Sequence, residues 1–342
     1  MDKVGRMYAP NISSPMGIRS TVGDTPLVRL DRLTSREDIT VWAKLEEFNP
    51  GSSTKDRTAA ALVDQGISSG LLTEGVSIVE SSSGNLGIAL SRECLLHGWP
   101  FHCVVDPRAN ARTVAIMKAF GAVVHMVEEP DPLTGDWLAA RRNKVQELLK
   151  EIPCAVTLDQ YSNRAAFEAH SEGTMREILD TLGHAPDLLF VAMSTTGTIG
   201  GCIKRLKEEK AATRALGVDA EGSVLFGGSR GTRNLPGFGA GVSPDLERDV
   251  APDEIIRVAD VDSVVGARAL VHREGILAGA SAGAVTAALL QRIHELPSGT
   301  EVVLILHDSG AAYVETIYDD EWVHSTLNID AAELARREAA LR

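Results

Sequence analysis

The chain has 342 residues, 44% hydrophobic and 24% charged, with a formal net charge of −13 and a pI near 5.2. This describes a globular enzyme-sized protein of two domains or one large α/β unit, and the acidic balance argues against a nucleic-acid or anionic-membrane partner. The four cysteines, Cys94, Cys103, Cys154 and Cys202, are scattered without a C-x-x-C pair, so reduced thiols are expected, with neither a disulfide framework nor a metal site.

In chain order, residues 1–20 read as a flexible polar arm without a signal-peptide core, and no apolar run reaches the length of a membrane span, so a cytoplasmic protein is expected. Thr21–Leu30 reads as a turn feeding a short strand, and Thr40–Leu45 alternates as a second strand. Asn49–Arg57 (Asn-Pro-Gly-Ser-Ser-Thr-Lys-Asp-Arg) is a tight loop, followed by a helix over Asp56–Ile67. Lys55 thus falls at a helix start, where the dipole disfavours a cation and eases deprotonation. Next come a strand at Val76–Glu80, a loop at Ser81–Asn85, a helix at Leu86–His97, a strand at Phe101–Val105 and a helix at Ala111–Phe120. Val123–Val127 and Ala155–Leu158 read as strands, with helices at Trp137–Lys150 and Arg164–Leu182. The apolar strand Leu188–Met193 runs into Ser194–Thr198 and a helix to about Lys210; Leu216–Asp219 is a strand and Gly222–Val242 a long Gly-rich loop. Helices at Asp262–Glu274 and Ala282–His294, a strand at Glu301–Leu306 and an amphipathic tail helix at Asp330–Arg342 complete the chain. Strands alternating with helices predict βαβ units and a mainly parallel sheet.

Functional loops of such sheets leave the carboxyl ends of the strands, and three there are unusual. Ser194-Thr195-Thr196-Gly197-Thr198 offers hydroxyls and N–H groups at a helix start, suiting either a phosphate or simple N-capping by Thr196 or Thr198. Ser82-Ser83-Gly84-Asn85 suits either a carboxylate or a capped turn with a left-handed Gly or Asn. Gly279-Ala-Ser-Ala-Gly283 matches the G-x-S-x-G nucleophile elbow, with Asp308 and His324 in the order a serine hydrolase needs. That elbow lies very late in the chain for such a fold. Gly237-Phe-Gly-Ala-Gly241 lacks both the glycine spacing and the preceding strand of a dinucleotide site.

Six stretches in a fixed order resemble the cysteine synthase and cystathionine β-synthase family of fold-type II pyridoxal-phosphate (PLP) enzymes: Gly-Asp-Thr-Pro-Leu-Val (23–28), the Lys55 loop (49–57), Ser-Ser-Gly-Asn (82–85), Thr-Thr-Gly-Thr (195–198), Glu-Gly-Ile-Leu-Ala-Gly-Ala-Ser-Ala-Gly (274–283) and His-Asp-Ser-Gly (307–310). The resemblance implies two parallel-sheet α/β domains with the site between them, a homodimer and small amino-acid substrates. It implies a large domain of 21–48 plus 156–325, a smaller mobile domain of 49–155 and a tail of 326–342. Pyridoxal 5'-phosphate would be attached to Lys55, with Asn85 at its ring oxygen, Ser194, Thr195, Thr196, Gly197 and Thr198 at its phosphate and Ser281 at the pyridine nitrogen. Ser82, Ser83 and Gly84 with Gln160 would hold the substrate carboxylate.

A serine at the pyridine nitrogen, in place of an aspartate, makes the ring a weaker electron sink and suits loss of a good β leaving group. Ser194, Leu86, Tyr161 and Ala282 depart from plain cysteine synthases, which usually carry Gly, Thr, Phe and Ser or Thr there. These variants resemble the N-(2-amino-2-carboxyethyl)-L-glutamate synthases of 2,3-diaminopropionate biosynthesis, a branch of siderophore and peptide-antibiotic pathways. The expected reaction is then replacement of the phosphate of O-phospho-L-serine by the amine of L-glutamate, with Arg233, Ser194 and Tyr161 as candidates for holding the phosphate or glutamate. A cysteine synthase using O-acetylserine or O-phosphoserine with sulfide is the runner-up, and a hydrolase built on Ser281 the alternative of another class.

Overall fold

The computed structural model describes residues 17–341. The expected arm over 1–20 therefore lies outside the described residues up to position 16, and Ile18–Thr21 forms a short 3-10 turn. The strands are β1 (Leu27–Arg29), β2 (Thr40–Leu45), β3 (Ser77–Ser81), β4 (Phe101–Val105), β5 (Val123–Met126), β6 (Ala155–Val156), β7 (Leu188–Ala192), β8 (Arg214–Ala220), β9 (Glu254–Val258) and β10 (Glu301–Leu306). The helices are α1 (Lys55–Ser68), α2 (Asn85–His97), α3 (Ala111–Ala119), α4 (Trp137–Glu151), α5 (Ala165–Ala169), α6 (Arg176–Leu182), α7 (Gly197–Glu208), α8 (Asp260–Glu274), α9 (Ala280–Leu290), α10 (Asp320–Leu327) and α11 (Ala331–Ala340).

The chain divides into two compact units, one of residues 63–158 with the N-terminal segment up to Val22, the other of 23–62 and 159–342. The division falls inside α1, so Lys55 belongs to the larger unit, where the sequence reading opened the smaller one at 49. The larger unit also takes in the C-terminal tail.

The larger unit holds a six-stranded sheet in the order β1-β2-β10-β7-β8-β9, parallel except for the β1–β2 pair. Its central strands are buried on both faces, as parallel strands under helices must be. Alternate residues serve two cores: Leu188, Phe190, Leu304 and Leu306 pack with α8 and α9. Leu189, Val191, Val303 and Ile305 pack with α5, α6 and α7. α9 is buried along its whole length, and it approaches α8 so closely that a Cβ at Gly266 would strike the Ala287 nitrogen at 2.9 Å.

The smaller unit has a four-stranded parallel sheet in the order β5-β4-β3-β6. Val79 and Val104 pack on Val145 and Leu148 of α4. On α2, Gly87 has no room for a side chain, because a Cβ would sit 2.8 Å from the Met117 sulfur of α3.

Three elements differ from expectation. The helix expected over Arg164–Leu182 is interrupted by a π segment, His170–Met175, a form concentrated at functional sites. Strand β9 was not anticipated; it is an edge strand whose residues are mostly half-buried, so it lacks clear alternation. Helix α10 was likewise missed, although Asp319 caps it by accepting from the Trp322 N–H. Among the described residues no helix is long and apolar enough to cross a membrane.

Candidate active site

Lys55 is the first residue of α1, at the end of a loop fastened at both ends. Asp56 accepts from the Gly51 N–H at 2.9 Å, and the Asn49 side chain accepts from the Gly23 N–H at 2.9 Å. The carboxyl end of β10 is stitched to the same loop: Thr54 N–H donates to the His307 carbonyl at 2.8 Å, and Ser309 N–H to the Ser52 carbonyl at 3.1 Å. Burial lowers the Lys55 pKa, opposed by the negative charges of Asp308 and Glu46. Lowering the pKa makes the free amine, the nucleophilic form, easier to reach.

Behind this loop lies a buried ion network. The Glu46 carboxylate accepts from Arg57 Nε at 2.7 Å and Nη2 at 3.0 Å, Asn49 Nδ2 at 2.9 Å and the Thr25 hydroxyl at 3.1 Å. Arg57 also forks onto Glu177, which takes the fully buried Lys44 as well. Burial would raise the Glu177 pKa, but Arg57 and Lys44 overcome it and bring it down to about 2. One turn along α1, Thr58 Oγ1 lies 3.2 Å from His170 Nε2, and Thr198 Oγ1 lies 3.3 Å from the same nitrogen. His170 thereby ties the lysine helix to the start of α7.

The loop at that start does not cap its helix. No side-chain cap is made at Thr196, whose hydroxyl is buried without a hydrogen-bond partner among the described residues. Thr196 also holds φ +64, an outlier for a β-branched residue. Strain together with an orphaned hydroxyl favours the phosphate reading over the capping one, because an anion at the helix start would satisfy both the hydroxyl and the α7 N–H groups. Thr54, beside Lys55, has a buried hydroxyl in the same condition.

Ser281 lies in the first turn of α9, and its hydroxyl donates to Asp308 at 3.5 Å; Asp308 accepts the Tyr313 hydroxyl at 2.8 Å. Gly237, at φ +97, closes over this group, where a Cβ would stand 3.8 Å from Ser281 Cβ. Ser281 thus faces a carboxylate with no imidazole between, and His324 is exposed on α10 while Ser281 is buried. The hydrolase constellation is not assembled.

Arg233 packs on Gly239, whose N–H bonds the Met193 carbonyl at 2.6 Å and whose carbonyl accepts the Ser194 hydroxyl at 3.2 Å. Arg233 and Ser194 thus both lie against Gly239 of the Gly-rich loop. Gln160 is buried, and Tyr161 is half-buried, its carbonyl accepting the Leu246 N–H at 3.1 Å.

In the smaller unit, Gly84 is extended rather than left-handed, and Asn85 begins α2. The Ser82 hydroxyl accepts the Gly87 N–H at 2.9 Å, steadying the loop and leaving its own proton to donate. The Ser83 hydroxyl accepts from Arg141 Nη1 at 2.9 Å. Arg141 comes from α4, is buried, and is held 3.2 Å from Asp106 at the end of β4. Sequence reasoning missed it. The available signal was its place on the buried stripe of α4, four and seven residues before Val145 and Leu148.

The profile described as pyridoxal-phosphate dependent enzyme matches residues 18–308. Among solved structures, an O-acetylserine dependent cystathionine beta-synthase from Helicobacter pylori is 29% identical, with TM-score 0.81, over 89% of this chain and 99% of its own. An O-acetyl serine sulfhydrylase isoform 3 from Entamoeba histolytica is 31% identical, with TM-score 0.82, over 97% of both chains. An O-ureido-L-serine synthase is 29% identical, with TM-score 0.81, over 90% of this chain and 98% of its own. A buried amine, an orphaned threonine hydroxyl at a helix start and a buried serine at the start of another helix fit the cofactor that this family uses. The chain belongs to the pyridoxal-phosphate dependent enzymes, and its two parallel-sheet α/β units are the fold-type II architecture of the cysteine synthase-like members.

Proposed function

We propose that the protein catalyses β-replacement on an activated L-serine, with O-phospho-L-serine as donor and L-glutamate as nucleophile, giving N-(2-amino-2-carboxyethyl)-L-glutamate and phosphate. The observation that carries the choice of donor is Arg141, a buried guanidinium bonded to Ser83 in the loop read as the carboxylate cradle. A fixed cation there suits a substrate carrying a phosphate dianion in addition to its carboxylate. The solved relatives named for O-acetylserine and O-ureidoserine support the broader class, replacement at Cβ of a serine derivative.

In this reading the bound PLP supplies an electron sink that labilises the substrate Cα–H bond and the Cβ–oxygen bond. Lys55 anchors the cofactor and, once released, takes the Cα proton as a base whose pKa burial has lowered. Thr196 and Thr198 with the α7 N-terminus would hold the cofactor phosphate, and Ser281 would meet the pyridine nitrogen. Ser82, Ser83, Gly84 and Gln160 hold the substrate carboxylate, and Asn85 the ring oxygen. The phosphate would depart with the Cβ–oxygen electron pair, the glutamate nitrogen would form the new bond to Cβ and give its proton to the released phosphate or solvent, and Lys55 would return the proton it took to Cα.

The test pairs O-phosphoserine and O-acetylserine with glutamate and sulfide and identifies the products by mass spectrometry. The glutamate adduct from O-phosphoserine supports the proposal; cysteine alone, whichever donor is used, establishes the cysteine synthase reading, which the sulfhydrylase relative favours. Arg141→Ala should raise KM for O-phosphoserine at least tenfold more than for O-acetylserine, equivalent to about 1.4 kcal/mol. Lys55→Ala should abolish turnover and the visible absorption of the bound cofactor.

A further inference from the structure

Strand β4 runs into Asp106-Pro107-Arg108-Ala109, and Asp followed by Pro is the opening of a tight turn. The turn forms: the Asp106 carbonyl accepts the Ala109 N–H at 2.9 Å, and the Asp106 carboxylate accepts the Arg108 N–H at 3.0 Å. That carboxylate also takes the Arg108 guanidinium at two atoms, Nε at 3.2 Å and Nη2 at 3.1 Å. It lies 3.2 Å from Nε of Arg141 as well, whose Nη1 reaches Ser83 at 2.9 Å. Burial would raise the Asp106 pKa, but Arg108 and Arg141 outweigh it and bring the pKa down. One buried carboxylate therefore holds two guanidiniums within the smaller unit, and the pairing leaves net positive charge beside the Ser82–Asn85 loop.

The two cations are not equivalent. Arg141 is buried between Asp106 and Ser83. The Arg108 side chain is 62% exposed, yet it is fixed: the fork on Asp106 holds one edge, and its central carbon sits 5.5 Å from the centre of the Trp137 ring at the start of α4. Arg108 Nη1 makes no hydrogen bond among the described residues. Helix α3, which begins three residues on, has no acidic residue in its first turn and carries the exposed Arg112 there. A guanidinium held by a carboxylate and an aromatic platform keeps one orientation before any ligand arrives, so binding an anion to its open edge loses little conformational freedom. An ion pair with a partner this exposed adds little stability, which makes a purely structural purpose a weak reason for the arrangement.

We propose that Arg108 is the specificity-determining residue for the nucleophile, its open edge receiving the side-chain carboxylate of L-glutamate while Arg141 serves the donor phosphate. This rests on the reading of the reaction as addition of glutamate to O-phosphoserine. The two anions call for cations in different places. The phosphate is joined directly to the reacting carbon of the donor, and a buried cation bonded to the carboxylate loop suits it. The glutamate carboxylate is carried on a flexible chain away from the reacting nitrogen, so its receptor belongs farther out, at an exposed cation. Glutamine has the same shape without the charge, and a charge-assisted bond to Arg108 separates the two.

The experiment uses holoenzyme at saturating O-phosphoserine and compares wild type with Arg108→Gln, measuring KM and kcat/KM for glutamate and for glutamine, and KM for O-phosphoserine. The wild type should prefer glutamate. The variant should raise KM for glutamate about tenfold, the effect of losing one charge-assisted hydrogen bond, and lose the preference over glutamine by the same factor, with KM for O-phosphoserine unmoved. An Arg108 that acts only through Asp106 on Arg141 would instead weaken both nucleophiles alike and raise KM for O-phosphoserine. That pattern, or an unchanged preference for glutamate, overturns the inference alone. If Arg108→Gln does not fold, Arg108→Met keeps the stem over Trp137, removes the charge and serves the same comparison. A wild type that forms no glutamate adduct overturns the reading of the reaction and the inference with it.

Discussion

Glu46→Gln is the sharpest test of how the Lys55 loop is held. The change keeps shape and removes one charge from a group that balances Lys44 and Arg57 against Glu46 and Glu177. Both Glu46 oxygens are saturated by donors: Arg57 Nε and Asn49 Nδ2 on one, Arg57 Nη2 and the Thr25 hydroxyl on the other. Whichever way the glutamine amide turns, its NH2 group meets N–H donors, and the network is left with an uncompensated buried cation. Breaking such a buried pair costs about 3–5 kcal/mol. At roughly 2–4 °C per kcal/mol for a domain of about 150–250 residues, the midpoint of thermal unfolding should fall by about 6–20 °C. Urea unfolding followed by tryptophan fluorescence gives the free energy directly. Because Glu46 also favours the Lys55 ammonium, the acid limb of the rate profile should move to lower pH in the same variant. A loss below about 1 kcal/mol with an unmoved limb would refute the argument, since surface pairs are worth no more than that.

Thr196→Gly relieves a positive φ worth about 1–3 kcal/mol in a non-glycine residue, so the cofactor-free protein should be as stable as wild type or more so. Cofactor affinity, measured by equilibrium dialysis, should fall because a hydroxyl donor is gone. Asp219, at the end of β8, has its pKa raised to about 6 by burial, against the Ser223 hydroxyl, the Ala220 N–H, Arg257 and Arg233. The folded state thus holds the proton more tightly than the unfolded one, and this contribution is complete below the unfolded value near 3.8 and lost as pH rises through about 6; Asp219→Asn should flatten urea stability over that window. Glu177 acts in the opposite sense, its contribution present above the unfolded value near 4.5 and lost as pH falls towards about 2, so Glu177→Gln should lessen acid sensitivity below pH 4.5. Arg233→Ala should weaken apparent affinity for O-phosphoserine, and an unchanged KM would remove its role at the substrate.

The parallel sheets were legible because the core strands are apolar runs that alternate with helices, and burial on both faces leaves that run unbroken at Leu188–Ala192. Strand β9 was not, since an edge strand of mostly half-buried residues with the sequence Glu-Ile-Ile-Arg-Val carries neither a long apolar run nor strict alternation. The π segment at His170 was hidden for another reason: its residues are compatible with an α-helix, and the imidazole it carries meets Thr58 and Thr198, which are distant in sequence.

The candidate site divides along a similar line. Residues read for the cofactor lie in short contiguous loops, so Lys55, Thr196 and Ser281 announce themselves by spacing. Groups that would select or steer a substrate arrive from elsewhere by packing. Arg141 looks like one more basic residue of an amphipathic helix until α4 lays it against Ser83. A charged or titratable residue on a buried stripe is costly unless something answers it. Substrate choice is therefore better sought at such buried polar residues than in the loops read for the cofactor.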